Sequence, residues 1–75
     1  MPSLRRNFGK RLRSFRKNRD MSQERFAEAL GISVDFLSLI ERGINSPSFD
    51  TLERMAKSLR VQVKDLFDFQ EKRLP

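Results

Sequence analysis

The sequence predicts an all-α fold, a compact bundle of five short helices that forms a single domain over residues 1–75. Apolar residues recur at spacings of three and four along most of the chain, as they do on the buried face of a helix. No segment alternates apolar and polar residues for long enough to indicate a strand. Serine and glycine stand where one helix would end and the next would begin.

The first helix is predicted from Ser3 or Leu4 to Asn18. Its apolar face has the spacing i, i+4, i+8 and i+11 and consists of Leu4, Phe8, Leu12 and Phe15. Basic residues occupy the other faces, so this helix is strongly cationic.

A second and a third helix follow, each with its own capping serine. Ser22 is placed to cap the second helix, and Gly31 ends it. Ser33 caps the third helix, which stops at Gly43. The apolar faces are supplied by Phe26, Ala27 and Leu30 in the second helix and by Leu37 and Ile40 in the third. Two short helices joined by a tight turn predict a helix-turn-helix unit, which can lay its second helix in a DNA groove.

The rest of the chain predicts a loop and two more helices. Residues 44–47 contain turn-forming residues, and Ser48 is placed to cap a fourth helix. The apolar face of this helix is predicted to consist of Phe49, Leu52, Met55, Ala56 and Leu59. Val61 and Val63 lead into a short fifth helix with Leu66 and Phe67, and residues 70–75 form a polar tail. Phe67 is expected in the core, whereas Phe69 could belong to the core or to a dimer contact.

Composition excludes most enzymes and points to an anionic partner. The chain has no cysteine, histidine, tryptophan or tyrosine, so disulfides, thiolate metal sites and imidazole-based catalysis are absent. Residues 1–20 carry eight Lys or Arg and one Asp, a net charge of +7, whereas the remaining residues carry eight basic and nine acidic side chains, a net charge of −1. A positive field at one end fits the phosphates of nucleic acid or an anionic membrane surface. We expect no enzyme activity, no cofactor and no metal.

The chain lacks the apolar run that a secretory signal or a membrane span needs. An organellar transit peptide is disfavoured, because removing the basic first helix would take Phe8, Leu12 and Phe15 from an already small core. We therefore expect a cytoplasmic protein.

Specific motifs point to one family. Residues 21–33 read MSQERFAEALGIS and residues 37–43 read LSLIERG. This order closely resembles the lambda-repressor/Cro-like (XRE-type) helix-turn-helix family of bacterial and phage transcription regulators. PSFDTL at 47–52 and VQVKDLF at 61–67 are similar to the fourth and fifth helices of that family. The resemblance covers about residues 8–67, with the helix-turn-helix motif at about 23–42, and implies binding to double-stranded DNA on the bacterial nucleoid.

The resemblance also implies site residues. It assigns phosphate contacts near the start of the second helix and at flanking positions, namely Arg16, Ser22, Gln23 and Asn45. A helix N-terminus agrees with this role, because it offers free N–H donors and a partial positive charge. The third helix resembles the recognition helix, and the residues predicted to read bases are Ser33, Val34, Asp35, Ser38, Leu39 and Arg42.

The predicted recognition helix departs from the usual pattern. It presents no Gln or Asn, and Arg42 at its end is its one side chain suited to bidentate base contacts. Val34 can pack on a thymine methyl, and Asp35 can accept a hydrogen bond from cytosine N4. Base readout is therefore expected to be sparse and supplemented by DNA shape.

In the family, an arginine near the end of the first helix pairs with a glutamate near the end of the third. The corresponding residues here are Arg16 and Glu41. A helical wheel places Glu41 beside the core face, and a half-buried carboxylate needs a partner. We expect Arg16 to hold the third helix while directing a spare donor at phosphate.

The leading hypothesis is a transcriptional regulator, in particular a repressor that binds a palindromic operator as a homodimer, with half-sites about 34 Å apart. A restriction-modification controller or the antitoxin of a toxin pair is a narrower alternative, and the sequence does not separate them. An alternative of another class is a basic adaptor for a membrane surface or an acidic protein. Burial of Phe8, Leu12 and Phe15 would exclude lipid insertion by the first helix.

Overall fold

The computed structural model describes residues 3–69, and this part of the chain is helical with no strand. Four α-helices and one 3₁₀ helix follow in order: α1 (Leu4–Asn18), α2 (Gln23–Leu30), α3 (Val34–Glu41), α4 (Phe49–Leu59) and the 3₁₀ helix (Val63–Phe67). The all-α prediction is confirmed. The predicted tail at 70–75 lies outside the described residues.

A serine caps the start of each of these four α-helices. The hydroxyls of Ser3, Ser22, Ser33 and Ser48 each accept a hydrogen bond from the backbone N–H three residues later. This satisfies one of the donors that the first turn of a helix leaves unpaired. The helix starts predicted at Ser22, Ser33 and Ser48 are confirmed.

The fifth helix is a 3₁₀ helix and not an α-helix. Gln62 precedes it, and its backbone N–H donates to the Asp65 carboxylate at 2.9 Å. This capping interaction closes a segment of five residues, a length at which the tighter 3₁₀ geometry is common. Leu66 from this segment is fully buried and closes one side of the core.

Residues of all five helical elements build one core. Its buried apolar members are Phe8, Leu12, Phe15, Phe26, Ala27, Leu30, Leu37, Ile40, Leu52, Met55, Ala56, Leu59 and Leu66. Phe67 packs partly buried against this core, and its ring centroid lies 5.1 Å from that of Phe8. Phe8, Leu12 and Phe15 are buried, so these side chains of α1 cannot insert into a lipid bilayer.

Two residues that the periodicity placed in the core are exposed. Leu4 is 63% and Phe49 is 85% exposed. Each lies in the first turn of its helix, and no element within residues 3–69 covers it. They border an open groove of about 510 Å³, whose apolar wall also includes Phe8, Pro47, Leu52 and Phe67.

Arg11 is a buried member of α1, although the sequence pattern places it among the basic residues outside the apolar face of this helix. It is 7% exposed, and its Nε donates to the carbonyl oxygen of Asp65 at 2.9 Å. Its guanidinium also lies 4.9 Å from the ring centroid of Phe15. Arg11 therefore joins α1 to the 3₁₀ helix. Among residues 3–69, no helix combines the length and apolar character that a membrane crossing requires.

Candidate nucleic-acid interface

The turn between α2 and α3 follows directly from its sequence. Gly31 adopts a left-handed conformation with φ of 74°, which lets the chain leave α2 without steric strain. The N–H groups of Gly31 and Ile32 donate to the last carbonyls of α2. Ser33 then starts α3 by accepting from the backbone N–H of Phe36 at 3.0 Å. Both helices thus begin at an exposed capping serine, Ser22 for α2 and Ser33 for α3.

Arg16 and Glu41 form a bidentate ion pair between α1 and α3. The distance is 2.8 Å from Nε to Oε2 and 3.0 Å from Nη2 to Oε1. The side chains are 12% and 3% exposed, respectively, so Glu41 is buried more deeply than the helical wheel suggested. Two parallel hydrogen bonds fix the relative position of the two helices more strictly than a single contact does.

Two more groups complete this ion pair. The Gln23 amide nitrogen donates to Glu41 Oε1 at 3.1 Å, and Arg16 Nη1 donates to the carbonyl oxygen of Met21 at 3.0 Å. Glu41 therefore receives hydrogen bonds from α1 and from the first residue of α2. Because three helices meet at one carboxylate, the end of α3 and the start of α2 are held in one fixed arrangement.

A shallow depression of about 210 Å³ lies over this network. It is lined by Arg13, Arg16, Gln23, Ser38, Glu41 and Arg42. Three arginines and one glutamate therefore line the depression, and the carboxylate of Glu41 is already paired with Arg16. The depression is positively charged and rich in donors, which suits a phosphate group. It brings together four predicted DNA contacts, Arg16, Gln23, Ser38 and Arg42.

The remaining predicted base-reading residues lie elsewhere on α3. Ser33, Val34 and Asp35 are exposed around its N-terminus, and Leu39 is half-buried. The Ser33 oxygen accepts the capping hydrogen bond, so its hydroxyl proton stays free to donate. The N-terminal turn of α3 and the depression at its C-terminus therefore form two separate parts of the candidate surface.

The other two predicted phosphate contacts flank these parts. Ser22 is exposed and accepts the capping hydrogen bond of α2 from Arg25 N at 3.2 Å. Asn45 is exposed in the loop after α3, where its Oδ1 accepts from the backbone N–H of Ser46 at 2.9 Å. The Leu39 carbonyl oxygen accepts the N–H of both Ile44 and Asn45, which fixes this loop against α3.

Sequence reasoning missed two features of this surface. Arg13 was not among the predicted site residues, although it precedes Arg16 by one helical turn and so extends on the same side of α1. The contact between Gln23 and Glu41 has no signal in the spacing of the sequence, because it depends on how α2 and α3 pack.

Comparisons with known proteins agree with this geometry. The family model HTH_3, described as helix-turn-helix, matches residues 12–66. The control protein C.BamHI of Bacillus amyloliquefaciens is 41% identical over 63 residues, covering 83% of this chain and 78% of that protein. The HTH-type transcriptional regulator YazB of Bacillus subtilis is 44% identical over 59 residues, covering 79% and 86%, respectively.

A solved structure has the same fold. The crystal structure of the restriction-modification controller protein C.AhdI from Aeromonas hydrophila superposes with a TM-score of 0.78 at 30% sequence identity. The match covers 84% of this chain and 96% of that one.

Proposed function

From the premise that this chain belongs to the HTH_3 helix-turn-helix family of DNA-binding transcriptional regulators, we propose that it is a repressor that binds a palindromic operator as a homodimer. One observation carries this proposal. The α2–α3 unit is locked by the Arg16–Glu41–Gln23 network, and the depression over that network is cationic. A rigid pair of helices with positive charge at their junction can grip the DNA backbone and present α3 to the bases.

Phosphate contacts are assigned to the junction. The N-terminus of α2 offers free backbone N–H groups next to Ser22, and Gln23 retains a second amide proton besides the one that Glu41 accepts. Arg16 uses three of its five N–H donors within the protein, which leaves two for a phosphate oxygen. Asn45 supplies a further donor from the loop after α3. These groups fix the register of the protein on DNA without reading sequence.

Base contacts are assigned to the exposed side of α3. Val34 packs on a thymine methyl, Ser33 and Ser38 donate to acceptor atoms, and Asp35 accepts from cytosine N4. Leu39 adds apolar contact, and Arg42 is the one side chain able to bind guanine with two hydrogen bonds. With so few bidentate contacts, the deformability of the operator contributes to the choice of sequence.

The homodimer is supported by the apolar groove between α1 and α4. Phe49 projects from its rim at 85% exposure, and a large aromatic ring left in water favours association. In a two-fold symmetric pair, each Phe49 enters the groove of the other copy, because the same patch serves both partners. Two recognition helices are then presented to half-sites about 34 Å apart, and the dimer represses by occupying the operator.

Selection of bound sites from random duplex DNA tests this function. We expect enrichment of a two-fold symmetric sequence whose half-sites are separated by about one helical turn. Enrichment of single half-sites would contradict the dimer, and no enrichment above random DNA would contradict sequence-specific binding. A footprint on the selected site then measures how many base pairs each copy covers.

A restriction-modification controller is the second candidate function. The observation that favours it is the likeness of this chain to C.BamHI at 41% identity and to the controller C.AhdI at a TM-score of 0.78. The test is protection of a promoter that drives an adjacent endonuclease gene. Binding at that promoter would support this function. The absence of an endonuclease gene beside the gene for this chain would exclude it.

A further inference from the structure

One face of α1 carries a row of four cations that the proposed function does not use in full. Arg6, Lys10, Arg13 and Lys17 are all exposed and follow the spacing i, i+4, i+7 and i+11. This spacing places them on one side of a helix, over a length of about 16 Å. We call these four residues the α1 cationic stripe.

The α1 cationic stripe borders the end of the recognition helix. At its N-terminal end, Arg6 packs so closely on the turn after α3 that a Cβ on Gly43 would lie 2.7 Å from its Cγ. Further along, Arg13 lines the same depression as Arg42 and Gln23. The stripe therefore begins beside the candidate DNA surface, passes it at Arg13 and continues to Lys17, one turn beyond.

The charges of this stripe are not balanced within the described part of the chain. Across residues 3–69, none of its four members forms an ion pair, and α1 contains no acidic residue. Like charges three and four positions apart repel each other on a helix. Arg6 also stands in the first turn, where the helix dipole disfavours a cation. In the protein without a bound partner, this repulsion destabilises α1. A polyanion lying along the α1 cationic stripe would relieve it.

We propose that the α1 cationic stripe is a second phosphate-binding surface, which follows the DNA backbone outside the half-site read by α3. The proposal rests on the proposed function, because it takes the depression at Arg13 as a point of contact with the same duplex. A length of about 16 Å matches the rise of about five base pairs of B-DNA, so the stripe spans several phosphates of one strand.

A duplex fits this surface better than a membrane does. An interfacial helix enters the headgroup region with an apolar face, and the apolar side of α1 is buried in the core by Phe8, Leu12 and Phe15. Long lysine and arginine side chains that form no ion pair among residues 3–69 are suited to a phosphate backbone, which requires charge and reach but no shape-specific pocket.

The test compares two charge-matched double variants of the full chain. Lys10→Gln with Lys17→Gln removes two charges from the stripe and leaves Arg13 and all proposed base contacts in place. Lys57→Gln with Lys64→Gln removes two exposed charges from α4 and the 3₁₀ helix, neither of which lines the depression. Far-ultraviolet circular dichroism first establishes that both variants fold as the parent does.

Binding is measured at several salt concentrations on the selected site alone and on the same site extended by random sequence. We expect extension to tighten binding of the parent and of the control variant by about tenfold and to leave the stripe variant unchanged. On the long duplex, the slope of log K against log salt should become shallower in the stripe variant by about 2 per bound copy relative to the control. The selected sequence should be the same for all three proteins.

Equal slopes and equal gains from extension in the two variants would overturn the proposal while leaving the proposed function intact. If the parent selects no sequence, the proposed function fails, and the comparison is made on random duplex, where equal slopes again overturn the stripe. A membrane surface would replace the proposal under a different result. In that case the parent and the control variant would bind vesicles of anionic phospholipid, the stripe variant would not, and both variants would bind duplex DNA with equal affinity.

Discussion

Gly9 of α1 packs directly against the backbone carbonyl of Ile40 in the last turn of α3. A Cβ at position 9 would overlap that oxygen and lie 2.9 Å from the carbonyl oxygen of Glu41. No longer residue fits between the helices at this point, because both contacts are with backbone atoms that cannot turn aside. The closeness of α1 to the end of α3 is therefore set by the absence of a side chain, and it brings Arg16 within reach of Glu41.

Gly9→Ala is expected to destabilise the protein, against the usual preference of helices. In an exposed helix interior this change stabilises by about 0.5–1 kcal/mol. Here the added methyl forces α1 and α3 apart, and overpacking of this kind costs about 1–3 kcal/mol. Urea unfolding followed by far-ultraviolet circular dichroism measures the change, since the chain has no Trp or Tyr for fluorescence.

The matched control for this variant is Ser14→Ala, an exposed position of the same helix. Its effect should stay within about 0.5 kcal/mol. A G9A protein that is as stable as the parent would show that the α1–α3 spacing adjusts freely, and the Arg16–Glu41 geometry would then have to be held by the ion pair alone.

Arg16→Met is expected to lower the free energy of unfolding by about 3 kcal/mol, because within residues 3–69 it leaves the buried carboxylate of Glu41 with Gln23 as its one side-chain partner. Glu41→Gln should cost less, since a neutral amide is cheaper to leave partly unpaired than a charge. The double variant should therefore lose less than the two single losses added together. A double-mutant cycle by urea unfolding measures the coupling, with an expected value of about 1–3 kcal/mol.

Coupling below about 0.3 kcal/mol would contradict this account, since it is the value for two independent residues. Packing of Leu37 and Ile40 would then have to hold α3 in place. The same cycle measured on DNA affinity separates the two roles of Arg16. A loss of affinity larger than the loss of folded protein would point to direct phosphate contact.

Much of the fold could be predicted because its signals are local. Each capping serine accepts a hydrogen bond from an N–H three residues away. Gly31 ends α2 in a left-handed conformation, which glycine adopts without steric strain. Periodicity identifies which side of a helix faces inward, but it does not show where the covering element ends. For that reason Leu4 and Phe49 were assigned to the core and are instead exposed at the groove.

The candidate site was less predictable, since its main contacts join three helices. Spacing along the chain gives no measure of the distance from Gln23 to Glu41, and burial of Glu41 depends on the close approach permitted by Gly9. Arg11 is a second case in which the sequence does not show whether a charged side chain is buried. Its charge counts toward the basic segment in the sequence, yet its side chain is buried against the 3₁₀ helix.

Variants of Gln23 and of α3 are expected to separate backbone contacts from base readout. Gln23→Ala should weaken binding to selected and random DNA by the same factor, because phosphate contacts carry no sequence information. Val34→Ala or Ser38→Ala should instead change the preferred half-site. Selection from random DNA with each variant measures this. An unchanged consensus for both α3 variants would mean that another face of the helix reads the bases.

Gln23→Ala needs a stability control, because its amide also donates to Glu41. We expect it to cost about 1 kcal/mol in the free energy of unfolding. DNA measurements are therefore made at a temperature where circular dichroism shows the variant to be folded, so that a fall in affinity reports contact and not unfolding.

Binding to DNA should depend strongly on salt. The net charge of +7 in the first twenty residues supplies most of the positive field. If a dimer on a duplex limited to the selected site neutralises about 6–8 phosphates, log K against log salt should have a slope of about −5 to −7. Fluorescence anisotropy with labelled duplex measures this slope. A slope near zero would contradict the electrostatic part of the proposal.

Phe49→Ser is expected to weaken the dimer and leave the isolated chain folded. Because the ring is 85% exposed, its removal should change the free energy of unfolding of the monomer by no more than about 0.5 kcal/mol. In the dimer the same ring fills an apolar groove, and losing such an anchor weakens association by about 2 kcal/mol or more, roughly thirtyfold. Sedimentation equilibrium measures the dissociation constant, with Val34→Ser as the control because Val34 is exposed on α3, away from the groove. Equal dissociation constants for both variants and the parent would remove Phe49 from the interface, and the two-fold pairing would then have to use another surface.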